Sequence, residues 1–181
     1  PLPLIDLQVV NAAGDELPDG ESGEFLVRSP SRFVAYRNQP ETTAAVLKRG
    51  WYRTGAAGYR DTDGLLYIVD RVKDMIISGG ENIYSAEVEQ ALQKHPAVAM
   101  SAVIGAPDQR WGEKVVAVVV LKKDSPATAE ELMQHCRTLI AGYKVPKDIR
   151  FADALPISPA GKILKRVLRQ ALWAGQDRTV A

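Results

Sequence analysis

A lysine on a constrained loop is the first feature of this sequence that could carry chemistry. Lys162 ends the segment Ser158-Pro159-Ala160-Gly161-Lys162, just before a predicted helix. Its side chain is a compact, mobile positive charge that suits a phosphate or a carboxylate. An ordinary solvated lysine fits the same pattern, so this segment leaves both interpretations open.

A pair of adjacent glycines is the second such feature. Gly79 and Gly80 follow Ser78 after a short apolar run. Because glycine has no Cβ, a thin ligand or another chain can pass close to the backbone there. The spacing by itself favours a simple tight turn.

Three further segments contain residues that could bind a ligand, and each also has a purely structural interpretation. Residues 52–58 carry glycines and are predicted to form a turn between strands, or a hairpin. Residues 70–74 form a charge cluster, which at a domain boundary is usually a hydrated linker. Residues 108–113 are predicted to be an exposed loop that contains Trp111. A tryptophan in a loop more often packs against the protein than binds a ligand.

The histidines and the single cysteine are given no catalytic role. His95 and His135 are predicted on different helices, without a carboxylate at metal-ligand spacing. Cys136 cannot form an intramolecular disulfide, and its place on an apolar helix face favours a small buried hydrophobe. No metal site is predicted.

The first seventy residues are predicted to be rich in β-strands. Short runs of β-forming residues are separated by glycine and proline. One short helix is predicted over residues 40–46. The predicted strands cover residues 4–10, 24–27, 51–52, 58–60 and 65–69.

From residue 71 the pattern becomes that of a small α/β domain. Residues 115–121 are apolar at nearly every position, which predicts a central strand covered on both faces. Thr128 and Glu131 match a capping box, and Gly142 is predicted to end the helix that follows. Ser85 is predicted to cap another helix, which runs to His95. Other predicted strands cover residues 75–77, 98–104 and 149–151, and a last helix covers residues 161–173.

Composition limits the function classes. The chain of 181 residues has 23 Lys and Arg against 22 Asp and Glu, a formal net charge of +1. No strong field is available to attract nucleic acid or an anionic membrane, and no apolar run is long enough to span a bilayer. The chain begins with proline and without a signal-peptide pattern, so we expect a piece of a longer protein.

The order of five motifs resembles the back half of the adenylate-forming superfamily. These motifs are residues 23–28, 35–37, 51–55, 70–83 and 156–162. The superfamily contains acyl- and aryl-CoA synthetases, luciferases and the adenylation domains of peptide synthetases. The resemblance covers essentially the whole chain. It is most specific over residues 70–89, which look like the CoA-ligase branch, and residues 109–112 look most like fatty-acid and chlorobenzoate CoA ligases.

The resemblance implies an α+β architecture in two parts. Residues 1–70 would be the end of a large N-terminal domain, a truncated antiparallel β-barrel. Residues 71–181 would be a small, mobile C-terminal domain with a central mixed sheet flanked by helices. The hinge is expected near residues 70–73, with Asp70 and Lys73 at its core.

The resemblance also implies a two-step reaction. A carboxylic acid reacts with ATP to give an acyl-adenylate and pyrophosphate, the small domain rotates, and CoA attacks to give a thioester and AMP. Lys162 matches the adenylation lysine, and Arg71 matches the residue that binds the ribose. Lys73 matches the hinge position.

Six residues are implied to contact CoA. Ser78, Gly79 and Gly80 match the loop along the pantetheine tunnel, and Trp111 matches an aromatic that packs on the pantetheine arm. Tyr143 and Lys147 match positions near the CoA nucleotide.

The implied ligands are ATP or AMP, CoA and Mg²⁺, the last bound mainly by an N-terminal part outside this chain. The implied substrate is a small carboxylic acid, the implied location is the cytoplasm, and a homodimer of the full-length protein is open. The phosphate loop and most of the acyl pocket of the superfamily lie N-terminal to this segment. The chain alone is therefore not expected to catalyse adenylation.

One departure from the superfamily pattern is expected to weaken ATP binding. The usual Thr-Gly-Asp is Thr54-Gly55-Ala56 here, and the missing aspartate normally accepts hydrogen bonds from both ribose hydroxyls. Two alternatives to a CoA ligase stay open. One is an adenylation domain that loads a carrier protein, and the other is a catalytically impaired binding module.

Overall fold

The computed structural model describes residues 4–174. The chain divides into two compact units, residues 1–72 and residues 73–181. The sequence places the boundary after residue 70, within the same short segment. That the first unit ends a larger domain, and that the second moves about a hinge, stay predictions.

The first unit is a curled five-stranded antiparallel sheet with one short helix. Its elements are β1 (Asp6–Val10), β2 (Gly23–Arg28), α1 (Pro40–Val46), β3 (Leu47–Lys48), β4 (Trp51–Arg60) and β5 (Leu66–Arg71). The strands run in the order β1-β2-β4, and both β3 and β5 pair with β4. The buried apolar residues of this unit are Val9, Val10, Phe25 and Ala57.

The turn or hairpin predicted over residues 52–58 is wrong. Trp51–Arg60 is one continuous ten-residue strand. Gly55 has a φ of 68°, a left-handed conformation that glycine adopts without steric cost, so the chain deviates locally without reversing. The pairing register with β5 then shifts between Ala57 and Gly58. Gly55, which predicted a turn in the sequence, therefore lies at an irregularity inside a strand.

The second unit is built on a five-stranded mixed sheet. Its elements are β6 (Ile76–Ser78), β7 (Glu81–Ile83), α2 (Ser85–Gln93), β8 (Val98–Asp108), β9 (Gly112–Leu121), α3 (Ala129–Arg137), β10 (Asp148–Phe151) and α4 (Lys165–Leu172). The strands run in the order β10-β9-β6-β7, with β8 also paired to β9. Among the described strand pairs of this sheet, only β10–β9 is parallel. A 3₁₀ turn, Val72–Asp74, leads into the sheet.

Strand β9 is covered on both faces, as its apolar sequence predicts. Val115, Ala117 and Val119 pack with residues of α2 and α3. Val116 and Val118 point to the other face, where they belong to two smaller clusters against which α4 packs. The strand therefore lies between two helical layers.

Two local predictions for α3 are confirmed and one is wrong. The Thr128–Glu131 capping box is present, with the Glu131 amide 3.2 Å from Thr128 Oγ1. Cys136 is fully buried, and burial raises the pKa of its thiol to about 11, so the thiol stays neutral. The helix ends at Arg137 and not at Gly142. Just beyond Arg137, the Thr138 and Leu139 amides donate to the His135 and Cys136 carbonyls in the i→i−3 bonds of a closing turn.

Two predicted helix starts are also wrong. The N-cap of α2 is Tyr84, and Ser85 is its first helical residue, with a buried side chain that accepts a hydrogen bond from Lys165. Helix α4 begins at Lys165 and not at Gly161. Residues 157–163 instead close a bridged turn, so the helix cannot start earlier.

The α+β fold class is confirmed, with antiparallel strands first and a mixed sheet flanked by helices second. Within residues 4–174, no helix combines the length and the apolar character needed to cross a membrane.

The revised end of α3 can be tested by stability measurements. Leu132, within the helix, is fully buried, whereas Leu139, two residues beyond its end, is 43% exposed. We expect Leu132→Ala to lower the free energy of unfolding by about 2–5 kcal/mol, because it leaves a cavity. Leu139→Ala should cost less than about 1 kcal/mol. Urea denaturation followed by circular dichroism measures both, and equal losses would contradict the observed helix end.

Candidate functional site

Lys162 lies on a turn that its own backbone closes. The amide of Ser158 donates to the Lys162 carbonyl at 2.8 Å, and the Lys162 amide donates to Ser158 Oγ at 3.1 Å. Gly161, with a φ of 77°, also donates to the Ser158 carbonyl. A bridge between Ile157 and Ile163 completes the turn. The local backbone is thus ordered although the lysine side chain is exposed.

The Lys162 ammonium is available to a ligand. Among the residues that the structure describes, no carboxylate lies within ion-pair distance of it. A lysine with a fixed backbone and an unpaired charge can bind an anion without first breaking an internal contact.

Gly79, the first of the two glycines in the β6–β7 hairpin, is in contact with Trp111. Gly79 and Gly80 both have positive φ, 60° and 87°. The Gly79 amide donates to the Trp111 carbonyl at 2.9 Å. A Cβ built on Gly79 would lie 2.6 Å from Trp111 Cε3, so only glycine fits against the indole. The structure therefore brings together two predicted CoA-binding segments that are far apart in the sequence.

The loop around Trp111 is held by a carboxylate. Asp108 Oδ1 accepts hydrogen bonds from the amides of Arg110 and Trp111, both at 2.9 Å. The Arg110 guanidinium lies 4.5 Å from the centre of the Trp111 ring, within the range of a cation–π interaction. Trp111 remains 43% exposed, so part of its indole is open to solvent.

Glu113 is a buried residue that the sequence analysis missed. Its side chain is only 5% exposed, and its Oε2 accepts a hydrogen bond from the Ile77 amide at 3.2 Å. A Cβ on Gly105 would lie 2.5 Å from the same oxygen, so glycine makes room for the carboxylate. Glu113 thus ties β6, directly before Ser78, to the β8–β9 pair. The only signal in the sequence is a glutamate at the start of a long apolar run.

Tyr143 and Lys147 lie in the segment between α3 and β10. Tyr143 is 46% exposed, and the Lys147 side chain is also exposed. The Lys147 amide donates to the Val115 carbonyl at 2.8 Å, which anchors its backbone to β9. Within residues 4–174, no hydrogen bond or ring contact joins either residue to the Gly79–Trp111 contact.

The lysine next to Tyr143 is committed to an internal ion pair. Lys144 Nζ lies 2.7 Å from Glu87 Oε2 and 5.6 Å from the centre of the Tyr143 ring. Burial by itself lowers the pKa of Lys144, but the hydrogen bond and the charge of Glu87 outweigh it and raise the pKa. Lys144 therefore stays charged and is less available to a ligand than Lys147.

Ala56 and Arg71 are direct neighbours on paired strands of the first unit. They are register partners in the β4–β5 pair. Arg71 is exposed, and its amide donates to Asp70 Oδ1 at 2.7 Å. The two positions that the superfamily pattern assigns to the ribose are therefore adjacent, but the side chain at position 56 is a methyl group.

A buried glutamate that the sequence analysis missed positions residues 53–56. Glu24 is only 8% exposed. It accepts hydrogen bonds from Arg53 Nε at 2.9 Å and from the Gly55 amide at 3.1 Å. Thr54 Oγ1 donates to the Phe25 carbonyl and accepts from the Ala56 amide. This network fixes the backbone on which Ala56 lies.

The predicted hinge residues flank the boundary between the units. Lys73 lies in the 3₁₀ turn, is exposed, and is the first residue of the second unit. Asp70 lies near the end of β5. Their role in a domain movement stays a prediction.

The two histidines contact each other, which the sequence analysis did not predict. The rings of His95 and His135 lie 5.1 Å apart, edge to face. His95 lies beyond the last residue of α2, and His135 Nε2 is 3.2 Å from the Ala91 carbonyl. Within residues 4–174, no group of three or more histidine, cysteine or acidic side chains could hold a metal ion.

Comparison with known proteins supports the resemblance. Residues 87–162 match the family described as the AMP-binding enzyme C-terminal domain. Feruloyl-CoA synthase of an Amycolatopsis species is 48% identical over 165 residues, which cover 91% of this chain and 34% of that protein. A fatty acid–[acyl-carrier-protein] ligase of Streptomyces coeruleorubidus is 43% identical over 180 residues, 99% of this chain and 35% of that protein. The chain thus spans about a third of the length of the curated relatives it matches.

A solved structure agrees over nearly the whole chain. It is o-succinylbenzoate CoA synthetase from Bacillus subtilis in complex with its acyl-adenylate intermediate. The TM-score is 0.84 at 40% sequence identity, over 93% of this chain and 34% of that one.

The contact between Gly79 and Trp111 leads to a prediction with a matched control. Alanine at Gly79 or at Gly80 would pay a similar cost for a left-handed conformation, about 1–2 kcal/mol. Only Gly79→Ala would also push on the indole, because nothing lies within 4 Å of a Cβ on Gly80. We expect Gly79→Ala, but not Gly80→Ala, to shift the NMR signal of the Trp111 indole, assigned with Trp111→Phe. An equal shift in both variants would contradict the contact.

Proposed function

We propose that this chain, whose residues 87–162 belong to the AMP-binding enzyme C-terminal domain family, is the C-terminal third of an ATP-dependent acid–CoA ligase. The full-length protein would convert a fatty or aromatic acid, ATP and CoA into acyl-CoA, AMP and pyrophosphate through an acyl-adenylate. The observation that carries this proposal is Lys162, an exposed lysine on a hydrogen-bonded turn within the matched domain, with no ion-pair partner in the part of the chain that the structure describes.

Lys162 would act in the adenylation step. As the acid attacks ATP, charge develops at the reacting phosphate while the carboxylate forms its bond to phosphorus. A positive charge held near both groups stabilises the transition state more than the separated reactants. The closed turn supports this role, because it fixes the lysine backbone before substrate arrives.

Arg71 would bind the ribose of the nucleotide, next to position 56. Its neighbour in the register is Ala56, which cannot accept a hydrogen bond from a ribose hydroxyl. Glu24 and Thr54 hold the strand around position 56 in place, so a side chain introduced there would have a defined backbone.

The thioester step would use another surface of the second unit. Ser78, Gly79 and Gly80 would line the path of pantetheine, and Trp111 would pack on it. The missing Cβ atoms and the part-exposed indole support this assignment. Tyr143 and Lys147 would contact the CoA nucleotide, with Lys147 more available than the paired Lys144. Rotation at Asp70 and Lys73 would exchange the two surfaces.

The proposal extends to Mg²⁺, location and assembly. The described residues offer no cluster for a metal, so Mg²⁺ would be held by the phosphates of ATP and by protein outside this chain. A cytoplasmic location and a homodimer of the full-length protein remain part of the proposal.

A carrier-protein ligase is the second candidate. It is favoured by the match over 180 residues to a fatty acid–[acyl-carrier-protein] ligase. Both candidates form an acyl-adenylate and transfer the acyl group to a pantetheine thiol, so the Gly79–Trp111 surface serves either. An impaired binding module, motivated by Ala56, is the outcome in which no adenylate forms.

Separate assays of the two half-reactions test this function. The full-length protein is given a panel of fatty and aromatic acids with ATP, and pyrophosphate release reports adenylation. Thioester formation is then followed from preformed adenylate, with CoA or a carrier protein as acceptor. Transfer to CoA supports the proposal, transfer only to the carrier protein supports the second candidate, and no pyrophosphate release with any acid overturns both.

In the same assays, Lys162→Ala should slow adenylation by at least about a hundredfold, the usual worth of a charged transition-state contact. It should spare thioester formation from preformed adenylate. Lys123→Ala, which removes another exposed lysine of the same unit, should change neither step. Equal loss in both half-reactions would show that Lys162 acts through structure alone.

Ala56→Asp should restore a ribose contact. Each charge-assisted hydrogen bond to a ribose hydroxyl is worth about 1.5–3 kcal/mol. We therefore expect ATP to bind about tenfold more tightly or better, since about 1.4 kcal/mol is tenfold, with little effect on CoA. Ala13→Asp, which adds the same charge in an exposed turn, is the control. Unchanged ATP affinity would remove both Ala56 and Arg71 from the nucleotide site.

A further inference from the structure

Helix α4, which follows the Lys162 turn, carries two cations that are largely buried. Lys165 and Arg169 are four residues apart and so lie on one face of the helix. Their side chains are only 15% and 16% exposed. A buried cation is costly unless it is paired and hydrogen-bonded, so its partners decide where the helix can sit.

Lys165 is held by two side chains of α2. Its Nζ donates to Ser85 Oγ at 2.7 Å and lies 2.8 Å from Glu89 Oε1, which is itself only 16% exposed. The same Glu89 oxygen accepts a hydrogen bond from the Val103 amide at 2.7 Å. Lys165 thereby joins the start of α4 to α2 and to β8.

Arg169 joins the next turn of α4 to the beginning of the unit. Its Nη2 lies 2.9 Å from Asp74 Oδ1, and the Asp74 side chain is 14% exposed. Asp74 directly follows Lys73, the predicted hinge residue. Farther along the chain, Trp173 Nε1 donates to the Gly105 carbonyl at 2.9 Å.

The two residues between the Lys162 turn and this helix are both held by contacts. Ile163 packs against the cluster of Ala102, Val118 and Leu155, as does Leu168 of α4. The Leu164 amide donates to the Pro156 carbonyl at 2.8 Å, and α4 begins at the next residue. A displacement of α4 must therefore displace the turn.

We propose that Lys165 and Arg169 are positioning residues, which lock the Lys162 turn to the segment after Lys73 so that both move as one body. This inference rests on the proposed function for its consequence in catalysis. A rotation that begins at Lys73 reaches Asp74 first, and the Asp74–Arg169 ion pair passes it to α4 and the turn. The lysine then arrives at the adenylation site in a fixed orientation, with no separate ordering step.

The first test needs no catalytic activity and uses the 181-residue chain itself. The amides of Ser158, Gly161 and Lys162 are hydrogen-bonded within the turn, and the Gly79 amide is hydrogen-bonded elsewhere in the same unit. We expect Lys165→Met to speed hydrogen exchange of the three turn amides by about tenfold or more, since local opening sets their exchange. The Gly79 amide should be unchanged. Arg166→Met, which removes an exposed cation of the same helix, should leave all four amides unchanged.

A double variant separates tethering from an uncompensated charge. Removing only Lys165 leaves the buried Glu89 carboxylate without its cation, which by itself destabilises a protein. Lys165→Met/Glu89→Gln removes that charge as well, while the Gln oxygen can still accept the Val103 hydrogen bond. Fast exchange in the double variant supports the tether. Full recovery of slow exchange, or faster exchange at Gly79 in either variant, overturns it.

The second test uses the half-reactions of the full-length protein. Arg169→Met should slow adenylation by about tenfold or more and leave thioester formation from preformed adenylate within about twofold, because only adenylation uses Lys162. Arg169→Lys should recover most of the rate by restoring the ion pair. Equal loss in both steps, or no recovery with lysine, overturns the positioning role. If the wild-type protein releases no pyrophosphate, the proposed function fails, while the exchange experiment still decides the tether.

Discussion

Burial of β9 on both faces is the constraint on which the second unit depends. An interior strand pairs its backbone with its neighbours and packs its side chains against both helical layers. Several candidate residues of this unit are attached to that strand. Ser78 pairs with Gly112 at one end, and the Lys147 amide bonds to the Val115 carbonyl. On the far face, Val116 and Val118 support the helix that follows Lys162.

In both units, buried charged residues lie next to the candidate ligand-binding residues. Glu24 in the first unit and Glu113 in the second each accept hydrogen bonds from a backbone amide beside a candidate site. Lys165 and Arg169 have carboxylate partners that are equally buried. Such groups add little net stability, but removing one partner is costly, so they specify one arrangement. The proposed positioning of Lys162 rests on these interior contacts.

At position 56 the backbone is held in place by hydrogen bonds, but the side chain has no polar group. The network of Glu24, Arg53 and Thr54 holds the backbone there, and Arg71 is its register partner. The methyl group of Ala56 leaves this arrangement without an acceptor for ribose. The β4–β5 pairing at this position is made by the backbone, so it does not depend on which side chain position 56 carries.

Local sequence patterns correctly predicted those structural elements that depend only on residues close together in the chain. The Thr128–Glu131 capping box and the apolar run of β9 were predicted correctly, because a cap involves neighbours in the chain and a two-sided strand shows in its composition. The motif order also identified the superfamily and the candidate lysine. The turn predicted around Gly55 was wrong. A positive φ at glycine is compatible with a reversal of the chain direction and also with a local deviation inside a strand. The pairing of β4 with β2 and β5 decides between these two possibilities.

Only the tertiary structure decided which distant residues meet. The contact of Gly79 with Trp111 and the ion pairs of α4 with Asp74 and Glu89 join residues that no local spacing relates. The start of α4 at Lys165 likewise depends on the bridge between Ile157 and Ile163. A sequence records residue types and local periodicity, whereas burial of a charge depends on every element packed around it. Lys162 and Gly79 could therefore be identified as candidates from the sequence, but the contacts around them could not.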